Sequence, residues 1–159
     1  MTEAPKTEQA WHRTFAAKCF NLTWDLLDKA ERTREEEDRM VHAAHASRYH
    51  WGEIGTPLEF ERGEWQICRV YAVLGRAELA LFHARRCLEI CEANGIGDFD
   101  IAFAHEALAR AYAVAGDREA STSHVAIATQ AADQISGPDD RTYFLSELAT
   151  VSDMLRSPS

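Results

Sequence analysis

Residues 65–75 have the sequence WQICRVYAVLG, and residues 106–116 have the sequence EALARAYAVAG. Both segments contain the pattern Arg-x-Tyr-Ala-Val-x-Gly, and the second copy starts 41 residues after the first, at 106 instead of 65. A histidine lies eight residues beyond the glycine of each copy, at His83 and His124. Similarity at one fixed spacing indicates internal repeats, which stack as supersecondary units around a shared core.

Helix signals surround both copies, because Ala, Leu, Glu and Arg dominate the chain and proline occurs only four times. Thr33 and Glu36 have the spacing of a capping box, which opens a helix, and the same pattern recurs at 56–59. Gly75 and Gly116 are typical of residues that end a helix. We therefore predict an all-α protein of about seven helices, over residues 7–29, 33–52, 56–74, 76–93, 98–115, 117–135 and 138–155.

The links between these helices are short, so we expect consecutive helices to pack as antiparallel neighbours. This predicts a single domain over residues 9–155, with a disordered N-terminus over 1–8 and a flexible tail over 156–159. The recurring pairs Ile-Gly or Ile-Ser-Gly divide the domain into units. These units are about 9–55, 56–97 and 98–137, and a capping helix follows at 138–155.

The helix pairs resemble the tetratricopeptide repeat (TPR) family in its extended-repeat variant. The usual first-helix tryptophan is displaced by one place, at Trp65, and is absent from the next unit, which also lacks the terminal proline. The resemblance implies antiparallel helix pairs stacked as a short right-handed superhelix, with a concave groove lined by the first helix of each pair. The matching positions are Ile67, Tyr71, Gly75, Ala80, Leu81 and Cys87, and then Leu108, Ala109, Tyr112, Gly116, Ser121 and Ala128.

The resemblance also implies which side chains face the groove. Arginine side chains offer planar, multidentate donors for a carboxylate or phosphate group, and tryptophan offers a flat apolar surface. We therefore expect a non-catalytic scaffold that binds a protein or peptide partner, or a small anionic ligand, without a cofactor. In the alternative interpretation, Arg62 pairs with Glu59 or Glu61, and Arg69 pairs with Glu106. Trp65 then fills a neighbouring gap. The predicted groove residues are Arg62, Trp65, Arg69, Phe103, Glu106 and Arg110.

The second predicted helix is rich in histidine. Asp38, His42 and His45 are spaced by four and three residues, so they share one helix face, as the ligands of a divalent transition metal would. The alternative function is thus a small metal-dependent enzyme or sensor. His45 also corresponds to the repeat histidines, however, and this favours a packing role instead.

The four cysteines are Cys19, Cys68, Cys87 and Cys91, and none forms a Cys-x-x-Cys pair. We expect them to be small buried residues in a reducing compartment. His83 shares a helix face with the last two, which leaves a soft-metal or redox role open beside the apolar-stripe interpretation.

The net charge of −9 disfavours nucleic acid as a partner. No apolar run approaches the ~20 residues that span a membrane, and the polar N-terminus does not resemble a secretory signal. We therefore expect a cytoplasmic protein. No nucleophile elbow, Walker loop or dinucleotide fingerprint occurs. The exposed edges of the first and last helices favour a homodimer as one outcome, and a regulatory module that acts through another protein is a third interpretation.

Overall fold

The computed structural model describes residues 2–156, which form seven α-helices and no β-strand. The predicted all-α class and the number of helices are therefore confirmed. The residues from 157 to 159, in the predicted flexible tail, lie outside the described part of the chain, as does Met1. The helices are α1 (Glu8–Leu27), α2 (Arg34–Ile54), α3 (Pro57–Val73), α4 (Ala77–Ala93), α5 (Asp98–Ala115), α6 (Arg118–Ala132) and α7 (Pro138–Arg156).

The predicted local signals set most helix ends. At the start of α2, the Glu36 amide donates to Thr33 Oγ1 over 3.2 Å, and the Thr33 amide donates to the Glu36 carboxylate over 3.1 Å. Gly75 and Gly116 have φ angles of 74° and 79°, in the left-handed region that glycine adopts without strain. Each ends its helix as predicted, which turns the chain back into the second helix of the pair.

Two boundaries differ most clearly from the prediction, and several other ends lie one or two residues away from it. The sequence suggests Asp98 as the cap of α5, but Asp98 is its first residue, with a φ of 55°, and its carboxylate accepts a hydrogen bond from Ser136 Oγ over 2.8 Å. Helix α6 ends at Ala132 instead of 135, because the next amides bond to carbonyls three residues back. Ile135 is nevertheless fully buried, so the last apolar residue of the stripe enters the core from a turn.

The helices pack as sequence neighbours. α1 packs against α2, α3 against α4, and α5 against α6, while α1, α3 and α5 also contact one another in order. α7 packs on both α5 and α6. Buried alanines dominate the helix contacts, and small side chains allow close approach of the helix axes.

The two copies of the repeat pattern make equivalent contacts. The Tyr71 ring stacks on His83, with centroids 5.8 Å apart, and the Tyr112 ring stacks on His124 at 5.5 Å. Each repeat histidine thus packs on the tyrosine of its own helix pair. The sequence repeat is therefore matched by a repeated ring contact.

Candidate functional site

A cavity of about 220 Å³ lies among α1, α3, α5 and α7. Helical spacing brings two pairs of lining residues onto the same faces. Trp65 lies one turn beyond Glu61 on α3, and Phe103 lies one turn beyond Phe99 on α5. The other walls come from distant parts of the chain. The cavity is lined by six aromatic residues, Phe20, Trp24, Trp65, Phe99, Phe103 and Tyr143, and by three ionisable residues, Glu61, Arg62 and Asp100.

The aromatic rings meet at different angles. Trp65 lies at the centre, with its ring centroid 5.5 Å from both Trp24 and Phe103, at interplanar angles of 34° and 85°. Phe99 and Phe103 are 4.6 Å apart. The packing fixes these ring orientations, so the cavity has walls that are partly formed by ring faces.

The charged side of the cavity is an ion pair. Arg62 donates from Nε and Nη2 to the two oxygens of Asp100, over 2.8 Å and 3.1 Å. Burial would raise the pKa of Asp100, but the hydrogen bonds from Arg62 and Glu61, together with the charge of Arg62, hold that pKa below its ordinary value. Asp100 is therefore a carboxylate at neutral pH, and Arg62, whose side chain is 52% exposed, covers it from the solvent side.

Glu61 connects the cavity with the interior of the α3–α4 pair. Its Oε2 accepts from Cys87 Sγ over 3.4 Å and from Cys91 Sγ over 3.6 Å, and all three residues are at most 1% exposed. Its Oε1 is buried and lies 3.8 Å from Arg62 Nε, and the Glu61 carboxyl also shares a hydrogen bond with Asp100. Burial, followed by the nearby Asp100, raises the pKa of Glu61 to about 10, so this carboxyl is protonated at neutral pH.

The predicted groove residues fall into two groups. Arg62, Trp65 and Phe103 line the cavity, as described above. The other three, Arg69, Glu106 and Arg110, do not line the cavity and instead form an ion-pair cluster with one another. Glu106 Oε1 lies 3.3 Å from Arg69 Nη2 and 2.6 Å from Arg110 Nη2.

Helix α7 completes this cluster. Glu147 Oε2 lies 3.1 Å from Arg69 Nη1, and the Arg110 guanidinium donates to Thr150 Oγ1 over 2.7 Å. The Arg69 guanidinium also lies 5.0 Å from the centre of the Trp65 ring. The donors of both arginines are therefore directed at groups of the chain itself. The pair of Arg69 with Glu106 is the one that the alternative interpretation of the sequence named.

The predicted metal ligands Asp38, His42 and His45 do not converge. All three are exposed on α2, and their ligand atoms do not form a group of the kind that could hold an ion. His45 Nε2 instead lies 2.8 Å from the Tyr71 hydroxyl, and burial and the neighbouring His83 lower the pKa of His45. Within residues 2–156, the one group of at least three potential ligands whose atoms lie within 4.8 Å of one another is Glu61, Cys87 and Cys91.

His83 contacts an ion pair instead of the two cysteines with which it shares a helix face. Its Nδ1 lies 2.6 Å from Glu64 Oε2, and Arg48 Nε lies 3.1 Å from the other oxygen of Glu64. Burial would raise the pKa of Glu64, but the hydrogen bond and charge of His83, together with Arg48, hold it below its ordinary value. His83 therefore serves an ion-pair cluster and is separate from the two cysteines on its helix.

Sequence reasoning missed Glu61 and Asp100 as site residues, together with the aromatic walls from α1 and α7. One signal in the sequence could have identified Glu61. At the repeat spacing of 41 residues, Glu61, Cys87 and Cys91 correspond to Ala102, Ala128 and Ala132 in the next unit. Polar residues at positions that an equivalent unit fills with alanine indicate a role other than packing.

No protein-family model matches this chain, and no curated protein or solved structure is detectably similar to it. None of the helices within residues 2–156 combines the length and the apolar character needed to cross a lipid bilayer. The assignment of function therefore depends on the chemistry of the site.

Proposed function

We propose that the protein is a non-catalytic binding module of TPR-like helix pairs, which works in the cytoplasm and binds a protein or peptide partner at the aromatic cavity. The partner inserts a side chain of the alkylammonium type, which is a lysine or a methylated lysine. The pairwise packing of α1 to α6 and the repeated Tyr–His contact support the TPR-like arrangement. The binding function requires no cofactor.

The observation that carries this proposal is the combination of aromatic ring faces with a buried carboxylate. A cation over the face of a tryptophan or tyrosine ring is attracted by the ring quadrupole, and substituted ammonium groups are bound by cages of such rings. Trp65, Trp24 and Tyr143 supply rings, and Asp100 supplies the opposite charge. The net charge of −9 adds a long-range attraction for a basic partner.

The size of the cavity favours a side chain as the occupant. Pockets for complete drug-sized ligands measure about 300–1,000 Å³, whereas this cavity measures about 220 Å³. It therefore accommodates a head group, while the rest of the ligand stays outside. A peptide meets this requirement, because its backbone can lie across the opening while one side chain enters.

The paired arginines argue against an anionic ligand. Arg62 already holds Asp100 through two hydrogen bonds, and Arg69 and Arg110 hold Glu106. An anion would have to displace these carboxylates. A ligand ammonium group needs only to join Asp100, or to replace the half-exposed Arg62 at its side.

NMR of the tryptophan indole N–H groups tests the proposal directly. Choline serves as the probe, and its uncharged isostere with carbon in place of nitrogen serves as the control for shape. We expect choline to shift the resonances of Trp24 and Trp65 and to leave Trp11, which is exposed on α1, unchanged. A cation–π contribution of about 0.5–2 kcal/mol predicts roughly 2- to 30-fold weaker binding of the isostere. Equal binding of both probes, or a shift with acetate alone, would refute the cationic ligand.

Two variants of the wall extend the test, and each has a matched control. Asp100→Asn removes the charge at constant shape, and Tyr143→Leu removes a ring that is 49% exposed, so the fold is little affected. We expect each variant to weaken choline binding. Tyr49→Leu, at a ring that is 62% exposed and outside the cavity, should bind choline as the unchanged protein does. A peptide with trimethyllysine should then bind more tightly than choline, because it adds backbone contacts.

A further inference from the structure

The Glu61–Cys87–Cys91 cluster has the geometry of a metal site. Cys87 and Cys91 are separated by four residues on α4, so their side chains lie on one helix face, and Glu61 faces them from α3. The two S–O distances, 3.4 Å for Cys87 and 3.6 Å for Cys91, share the oxygen Oε2. Two sulfurs and one oxygen thus lie around a common point in the interior of the helix pair.

These distances match the edges of a coordination tetrahedron. Zinc binds sulfur at about 2.3 Å and carboxylate oxygen at about 2.0 Å in tetrahedral geometry. Simple trigonometry then places a ligating sulfur and a ligating oxygen about 3.5 Å apart, given the tetrahedral angle of about 109°. Both observed S–O distances lie within 0.1 Å of that edge, and the two sulfurs lie within 4.8 Å of each other. The arrangement is therefore compatible with one ion bound by all three side chains.

The repeat provides an internal comparison. The next unit has Ala102, Ala128 and Ala132 at the equivalent positions, and all three are buried in its core. Three alanines are thus sufficient for the packing of a helix pair at these positions. A carboxyl group and two thiols in their place are not explained by packing.

The two oxygens of Glu61 have different neighbours. Oε1 lies 3.8 Å from Arg62 Nε, and the Glu61 carboxyl also shares a hydrogen bond with Asp100. Oε2 is the oxygen that both thiols approach, so it is the oxygen that would bind an ion.

The donor set selects the class of ion. Two thiolates favour soft or borderline ions and exclude Mg²⁺ and Ca²⁺, which take oxygen ligands. The carboxylate favours a divalent ion over Cu⁺, which selects sulfur ligands. Zinc accepts sulfur and carboxylate oxygen in the same tetrahedral site.

We propose that Cys87, Cys91 and Glu61 bind one zinc-type divalent transition-metal ion between α3 and α4, through two sulfurs and one carboxylate. Binding releases the protons of the two thiols and of the Glu61 carboxyl group to solvent. Three protein ligands leave one tetrahedral position open, as in zinc sites that accept an exogenous ligand. The metal site is separate from the predicted Asp38–His42–His45 set on α2.

Cobalt substitution tests this site with a direct spectroscopic readout. The reduced protein is unfolded in denaturant, refolded anaerobically with Co²⁺ and desalted, so that access to the interior does not limit binding. We expect one Co²⁺ per chain, with a thiolate-to-cobalt charge-transfer band and the visible absorption of tetrahedral Co²⁺. Zn²⁺ should displace the cobalt and raise the melting temperature.

Three variants make the result decisive. Glu61→Ala/Cys87→Ala/Cys91→Ala copies the next repeat unit, so we expect it to fold and to lose both the band and the stabilisation by zinc. Cys19→Ala/Cys68→Ala keeps both site thiols and should retain one Co²⁺ per chain. A refolded protein without the charge-transfer band, or a triple variant that keeps the band, would overturn the proposal. Choline-induced shifts should persist in Cys87→Ala/Cys91→Ala, so failure of the metal site and failure of the amine cavity are distinguishable.

Discussion

Replacement of Arg110 by methionine should destabilise the protein more than any other change at a single arginine. The Arg110 guanidinium donates to the fully buried Glu106 and to Thr150 Oγ1 and the Glu147 carbonyl of α7. Arg110→Met leaves Glu106 with Arg69 alone, at 3.3 Å. Removal of one partner of a buried ion pair costs about 3–5 kcal/mol. Because Arg69 remains, we expect a loss near the lower limit, about 3 kcal/mol.

Urea unfolding followed by far-ultraviolet circular dichroism measures this loss. For a domain of this size, about 3 kcal/mol corresponds to a fall in melting temperature of roughly 6–12 °C. Arg86→Met is the matched control, because the Arg86 side chain is 46% exposed and pairs with Glu89 on the same helix. Such exposed pairs contribute about 0.2–1 kcal/mol.

A second variant separates ion pairing from packing. Glu106→Leu/Arg110→Met removes both charges, so no buried carboxylate is left with Arg69 as its single partner, and Arg69 keeps its ion pair with Glu147. We expect the double variant to be more stable than Arg110→Met. The reasoning is refuted if Arg110→Met is no more destabilising than Arg86→Met, or if the double variant is the less stable of the two Arg110 variants.

Two further predictions concern the turns and the buried histidines. Gly116→Ala should lower the free energy of unfolding in urea by about 1–2 kcal/mol, because φ is 79° at this residue. Gly97→Ala is the control and should be nearly neutral. Its φ is −115°, and no described atom lies within 4 Å of the added Cβ. Burial lowers the pKa of His105 and of His124 from the ordinary value of 6.5. For His105, repulsion from His124 lowers the pKa further, whereas the charge of Glu92 raises it. Just below pH 6.5, the unfolded chain therefore binds more protons than the folded protein, so the free energy of unfolding should fall on acidification. The double variant His105→Gln/His124→Gln should show a smaller fall. A free energy of unfolding that rises on acidification would contradict this reasoning.

Local sequence patterns predicted the helices well, because the start and end of a helix depend on residues within a few positions of each other. The capping box at Thr33 and the glycines at 75 and 116 act within a few residues of themselves, so their spacing is sufficient to place them. The repeat pattern likewise identified equivalent residues in two helix pairs. The errors, at Asp98 and at the end of α6, fall where a side chain or a turn is held by a distant segment.

The site was predicted only in part. The resemblance to TPR helix pairs implied that Arg62, Trp65 and Phe103 face a groove, and these three side chains line the cavity. Helical spacing placed Arg69 on the stripe of Arg62 and Trp65, and Arg110 on the stripe of Phe103. The sequence did not reveal that α7 covers the second half of this stripe. That contact joins Arg69 to Glu147, which is 78 residues away.

The sequence by itself determined seven helices, most of their ends, and which face of each helix is apolar, because these properties depend on neighbours within one or two turns. Only the tertiary structure decided which carboxyl groups meet which arginines and thiols. Glu61 meets Cys87 and Cys91 because α3 and α4 pack at one particular rotation and offset, and a shift of one residue would turn each side chain by about 100°. Periodicity gives the face of a helix, whereas the pairing of polar side chains depends on distances between helices that no local pattern encodes.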